Sequence, residues 1–199
     1  MSFALLTALL GFAFVTTVTP GPNNLMLMAS GANFGFRRSV PHMLGISGGV
    51  SAMAFLVGMG LMAVFEAAPM LGIALQVVSV VYLLWLAYKI ATAAPLKDQA
   101  ANARPMSMIQ AAAFQWVNPK AWAMCLSAVT LYAPDRTVLS VAVVAGAFAV
   151  VSMPAISLWA WLGTVIRQWL SNPTRLRVFN GLMAFLLVAS LYPILSLGR

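Results

Sequence analysis

Charge is scarce in this chain: of 199 residues, 7% are Asp, Glu, Lys or Arg, while 62% are hydrophobic. Soluble globular domains carry about 25% charged residues, so a water-soluble fold is excluded and an integral membrane protein is expected. Acids are the scarcest group, with 3 Asp and Glu against 11 Lys and Arg. The only cysteine, Cys125, rules out an intrachain disulfide, a CxxC pair or a thiolate cluster, and the only histidine, His42, rules out a multi-histidine metal site. A thiol oxidoreductase needs paired cysteines and a divalent-metal exporter needs several His, Cys, Asp or Glu ligands; both readings lose ground. No catalytic constellation, metal set or cofactor motif is present, so an enzyme is not expected. The first 20 residues lack a basic n-region and run into Pro-Gly-Pro rather than a small-residue cleavage site, so they are read as part of the mature protein.

What the sequence has in abundance is apolar runs of about the 20 residues that a helix needs to cross a bilayer. Six are expected, over about residues 3–30, 40–65, 70–92, 106–131, 138–165 and 178–197. Between the first two, residues 31–39 read as a basic loop with Arg37 and Arg38. The most polar stretch, 95–105, reads as a linker, and residues 167–177 as a second basic loop. The second span carries Gly45, Gly48 and Gly49, with a GxxxG spacing from Gly45 to Gly49 that allows a close helix approach. Tyr82, Trp85, Tyr88 and Lys89 form an aromatic-basic cluster suited to the headgroup region.

A net charge of +8 in a soluble chain would suggest nucleic acid; here the basic residues lie in short loops, where they set orientation, and no nucleic-acid partner is expected. Six crossings put Arg37, Arg38, Lys89, Lys97, Arg104, Arg167, Arg175 and Arg177 on one side and Arg136 and Arg199 on the other. The positive-inside rule makes the first side cytoplasmic and both termini non-cytoplasmic.

Two apolar spans are interrupted. Thr19-Pro20-Gly21-Pro22-Asn23-Asn24 breaks the first, and Asn118-Pro119-Lys120 breaks the fourth, with Pro20 and Pro119 99 positions apart. Three spans per half force the halves into opposite orientations, so the matched breaks predict a 3+3 inverted-topology repeat with discontinuous helices 1 and 4 and a binding site between them. The single transmembrane domain, 1–199, would then divide into repeats 1–95 and 106–199 joined by a cytoplasmic linker, 96–105. Thr19-Pro20 and Asn118-Pro119 both read as an N-cap followed by proline at the first helical position. The helix amino ends suit a carboxylate, and the carbonyls freed at about Thr16 to Val18 and Phe114 to Val117 suit a cation, so a zwitterionic amino acid fits both. Candidate substrate-binding residues are Pro20, Gly21, Pro22, Asn23, Asn24, Gln115, Asn118, Pro119 and Lys120. The asparagines and Gln115 could equally satisfy the broken backbone, and Trp116 and Trp122 could pack or wall a cavity.

Lys120 lies about 14 residues into its span, roughly 20 Å along a helix. An ammonium at that depth costs at least ~2.5 kcal/mol. Glu66, Asp98 and Asp135 all fall in turns, so an anionic group of the substrate or a lowered pKa is expected to compensate, with snorkelling to the far interface as the alternative.

Three stretches together resemble the LysE/RhtB superfamily of amino-acid exporters over essentially the whole chain. They are Thr19-Pro20-Gly21-Pro22-Asn23 with Gly35-Phe36-Arg37 and Gly45; Tyr82-Leu83-Leu84-Trp85-Leu86-Ala87-Tyr88-Lys89; and Phe114-Gln115-Trp116-Val117-Asn118-Pro119-Lys120. The resemblance implies efflux of small amino acids or their derivatives across the inner membrane, coupling to protons and often dimeric assembly. The Asn-Pro-Lys form is similar to the RhtB branch, which includes cysteine/O-acetylserine and homoserine/threonine exporters. An acidic residue found in span 2 of the lysine-exporting branch has no counterpart in Gly-Ile-Ser-Gly-Gly-Val-Ser at 45–51, which argues against a dibasic substrate and leaves the proton carrier unidentified. A structural or assembly role would leave the paired breaks without purpose.

Overall fold

The computed structural model describes residues 1–92 and 104–191, and among these the secondary structure is entirely helical. Helix α1 (Phe3–Val18) is followed, after a break, by α2 (Pro22–Phe34), and then by α3 (Phe36–Leu56), which continues through one π turn (Val57–Leu61) into α4 (Met62–Ala67). Next come α5 (Pro69–Ala91), α6 (Met108–Phe114) with a 3-10 turn (Gln115–Val117), and α7 (Pro119–Tyr132). The chain closes with α8 (Val138–Ile166), a 3-10 turn (Trp169–Ser171) and α9 (Pro173–Ala189). Phe36–Ala67, Pro69–Ala91 and Val138–Ile166 are each long and apolar enough to cross a bilayer, and α1 with α2, bent by 59° at their break, makes a fourth if taken as one span. The expected linker lies almost wholly, and the end of the last expected span partly, outside the described residues.

Helix α8 is the centre of the bundle, in contact with α1, α2, α3 and α7. Two glycines set its distance from α2. A side-chain carbon on Gly163 would run into the Met28 carbonyl oxygen, and one on Gly31 into that of Ala160, so the two backbones touch. Against α3 the contact is polar: the Ser47 hydroxyl donates to the Ala149 carbonyl at 2.9 Å and Ser51 to the Ala145 carbonyl at 2.7 Å. The expected Gly45–Gly49 face is used against α6, where Gly45 meets Met108 and Ala111 and Gly49 meets Ala112 and Gln115; Gly48 faces open space. The aromatic cluster on α5 holds together through Tyr82 and Trp85, 5.4 Å apart, with the Lys89 ammonium 5.2 Å from the Trp85 ring.

Several boundaries differ from the sequence expectation. The basic loop over 31–39 is a single-residue reversal: α2 runs to Phe34, Gly35 adopts φ 83°, and Arg37 and Arg38 stand in the first turn of α3. Nothing in Ala32-Asn33-Phe34 stops a helix, whereas one glycine at positive φ turns the chain at little steric cost. Likewise α9 starts at Pro173, so Arg175 and Arg177 are helical; the Asn172 side chain accepts from the Thr174 and Arg175 amides at 2.9 and 3.3 Å. The turn before α8 follows the expectation, with Asp135 accepting from Ser140 at 2.6 Å and from Thr137 at 3.2 Å. The Ser140 bond foremost, and then those of Thr137, hold the exposed Asp135 carboxyl below its ordinary pKa.

Replacing Gly163 by valine forces α2 and α8 apart, and overpacking of this kind costs about 1–3 kcal/mol. Thermal unfolding in detergent should show a clearly lower midpoint for Gly163→Val, while Gly146→Ala, with nothing within 4 Å of the added carbon, should match or exceed the parent. Equal midpoints for the two variants would rule out this packing account.

Candidate functional site

The two breaks meet. Pro20 and Pro22 are each preceded by an extended residue, Thr19 (ψ 147°) and Gly21 (φ 179°, ψ 176°), because a proline pushes the residue before it out of the helical region. The second proline therefore sets where α2 can begin. Gly21 is the N-cap and Pro22 the first helical residue, in place of the expected Thr19 and Pro20, and Thr19 instead closes α1. The second break does follow the expectation: Asn118 caps α7 by accepting from the Lys120 amide at 3.2 Å, with Pro119 at the first position.

Several of the carbonyls freed at the breaks accept hydrogen bonds from side chains. The Thr16 carbonyl accepts from the Thr19 hydroxyl at 2.9 Å, and the Thr17 carbonyl from Asn24 at 2.8 Å. The Val18 carbonyl takes the Trp159 indole N–H at 2.9 Å, and Asn24 also reaches the Thr19 carbonyl at 2.7 Å. Across the second break, the Trp122 indole donates to the Trp116 carbonyl at 2.9 Å. Asn24 and Trp122 thus each donate to backbone carbonyls beside the breaks.

Lys120 reaches from the second break to the first. Its ammonium has partners within the chain, donating to the Thr19 carbonyl, to the Thr19 hydroxyl at 2.9 Å and to the Pro20 carbonyl at 3.3 Å. The cation of one break thus sits on the carboxyl end of the half-helix at the other, where the helix dipole is negative. A second bridge is reciprocal. Asn23 donates to Gln115 at 2.9 Å and Gln115 returns a bond at 3.2 Å, while also donating to the Ala111 carbonyl at 2.8 Å.

Around these groups lies a closed cavity of about 20 Å³, room for one water molecule. Of the candidate residues, Gly21, Asn23, Asn24, Asn118 and Lys120 line it. Pro20 reaches the site through its carbonyl, and Gln115 through Asn23. Pro22 is buried at the start of α2, and Pro119 faces a separate groove shared with Phe65 and Trp122, so neither lines the cavity. Trp116 and Trp122 stand outside it too, stacked edge-on at 5.9 Å.

Two further polar side chains, Thr17 from α1 and Ser152 from α8, join the wall beside apolar residues of α3, α7 and α8. Both hydroxyls are buried and have no hydrogen-bond partner among the described residues. The available signal for Ser152 was Pro154 within α8, since a proline inside a helix removes a backbone bond. For Thr17 there was none beyond its nearness to the break. Among the described residues no group of three or more His, Cys, Asp or Glu comes together.

The Asn23–Gln115 bridge should register as coupling. A double-mutant cycle with Asn23→Ala and Gln115→Ala, read by unfolding in detergent, should give an interaction of about 0.6 kcal/mol or more; simple additivity would mean that this pair does not join the breaks.

Comparison with known proteins bears on this arrangement. A family described as "LysE type translocator" matches residues 14–190. A cysteine/O-acetylserine efflux protein of Escherichia coli (strain K12) is 35% identical over 123 residues, covering 60% of this chain and 61% of that protein. The protein of the same description from Shigella flexneri is also 35% identical, and that of Escherichia coli O1:K1 / APEC 34%, with the same coverage. The chain thus aligns with about three fifths of the length of these relatives. No solved structure matches. Because the family match runs through both breaks and through every residue lining the cavity between them, the chain belongs to the LysE type translocator family.

Proposed function

We propose that this protein is a secondary active exporter of small neutral amino acids or their derivatives across the inner membrane, coupled to the proton gradient and working by alternating access. The observation that carries the reading is the convergence of Lys120, Asn118, Asn23 and Asn24 with the unpartnered Thr17 and Ser152 hydroxyls on one cavity between two helix breaks. In this reading six crossings form a 3+3 inverted repeat, with α1/α2 and α6/α7 as its discontinuous helices. Both termini face away from the cytoplasm, and the chain is able to pair as a homodimer.

The cavity has room for one water and none for an amino acid, so in this reading it represents the closed site. Rocking of one half against the other separates the breaks and withdraws Lys120 from the Thr19 and Pro20 carbonyls. The ammonium is then available to a substrate carboxylate, and the released carbonyls to a substrate ammonium. Ligand and protein thus exchange equivalent partners, which keeps the difference between closed and loaded states small. Thr17 and Ser152 add hydroxyls for a polar side chain. Relatives described as cysteine/O-acetylserine efflux proteins make these two compounds the first substrates to test.

Cells that overproduce the protein should release labelled cysteine, O-acetylserine, serine, threonine or homoserine faster than control cells, and a protonophore should abolish the difference. Lys120→Gln should lower the rate at least tenfold at equal membrane abundance, since it removes the carboxylate partner. Release no faster than in controls across the whole set would overturn the assignment; efflux intact in Lys120→Gln would remove Lys120 from it.

A further inference from the structure

A second and larger cavity, about 410 Å³, opens among α2, α3, α5, α9 and the chain ahead of α6. It shares no lining residue with the closed cavity between the breaks, and its volume is in the range of small-molecule sites, about 300–1,000 Å³. Two of its polar groups are buried and unsatisfied among the described residues. His42 is 2% exposed with neither ring nitrogen paired, and Asn180 is 1% exposed with its side-chain carbonyl oxygen unpaired. The Asn180 oxygen can only accept, and a neutral imidazole offers one further acceptor and one donor. A buried acceptor without a donor is costly to maintain, so both groups are suited to a ligand rich in N–H. The exposed cations Lys89 and Arg104 also line the cavity, and no carboxylate does so among the described residues. Met26 and Leu86 contribute apolar wall.

Acceptors in the depth and cations at the edge make a site with two opposite demands, an ammonium inside and a carboxylate outside. The position agrees with such a ligand. His42 is one helical turn from Ile46 on α3, and Ser30 is two turns from Asn23 on α2; Ile46 and Asn23 line the closed cavity. The larger cavity is therefore displaced by roughly 6–10 Å along these two helices, towards the end of the bundle that carries Arg37, Arg38 and Lys89. We infer that this cavity is a second binding site for a zwitterionic amino acid, in which His42 and Asn180 receive the ammonium and Lys89 and Arg104 the carboxylate before the site between the breaks opens. The inference rests on the export reading above and adds a position at which substrate waits.

The test uses the full chain reconstituted in liposomes and labelled cysteine, serine and threonine as probes. For the probe carried fastest, Asn180→Ala should raise KM five- to tenfold with kcat within twofold. The surface variant Lys89→Glu/Arg104→Glu, which leaves the buried groups in place, should do the same. In detergent, Lys120→Gln protein should still bind the probe, and adding Asn180→Ala should abolish that binding. N-acetylated and methyl-ester forms of the probe should each compete at least tenfold less well than the free amino acid. Transport by the parent with KM unchanged in the charge-reversed variant, or Lys120→Gln protein that binds no probe, would overturn the second site and leave the export reading standing. A parent chain that carries none of the three probes while the cell assay also shows no efflux would overturn both.

Discussion

A backbone N–H or C=O inside a bilayer must find a partner in the protein, because no water is there to supply one. Everything at the centre of this structure follows from that constraint acting on two prolines. Pro20 and Pro119 stop helices that would otherwise run on, and each stop exposes carbonyls. Asn24 and Trp159 cover those of the first break and Trp122 that of the second, while Lys120 spans from one break to the other. The breaks are thus joined: the Lys120 ammonium of the second donates to the Thr19 and Pro20 carbonyls of the first.

Packing determines which helices can deliver these partners. Helix α8 reaches the first break because Gly31 and Gly163 let it lie directly on α2, and from that distance Trp159 and Ser152 extend into the site. Helix α3 is held to α8 by Ser47 and Ser51, and to α6 by Gly45 and Gly49. It therefore lies between the two half-helix pairs, with Ile46 and Val50 lining the closed cavity and His42 one turn away lining the open one. Close glycine contacts and serine-to-carbonyl bonds are the forces available where the hydrophobic effect gives no preference between lipid and protein.

The helical membrane class and the break positions were legible because their causes are local. Scarcity of charge, runs of about 20 apolar residues and proline chemistry act within a few residues of where they are written. Boundaries were misread where two local signals competed. Pro20 and Pro22 both qualify as helix starters, and only the restriction each imposes on its predecessor shows that the second prevails. Asn172-Pro173 carries the same signature as Asn118-Pro119, yet the charges at Arg175 and Arg177 suggested a loop. Of the candidate site residues, Gly21, Asn23, Asn24, Asn118 and Lys120 gather on one cavity, while Pro22 and Pro119 shape the chain that carries them.

By itself the sequence determined that the chain is helical, apolar and interrupted twice by proline, since each of these depends on composition or on neighbouring residues. Tertiary structure decided who partners whom. Lys120 and Thr19 are 101 positions apart and Trp159 and Val18 are 141 apart, and no local rule relates residues at such distances. The hydroxyls of Thr17 and Ser152, and the polar atoms of His42 and Asn180, all without a partner among the described residues, become visible only when helices from different parts of the chain close around them, because being unsatisfied is a property of the packed surroundings and not of the residue.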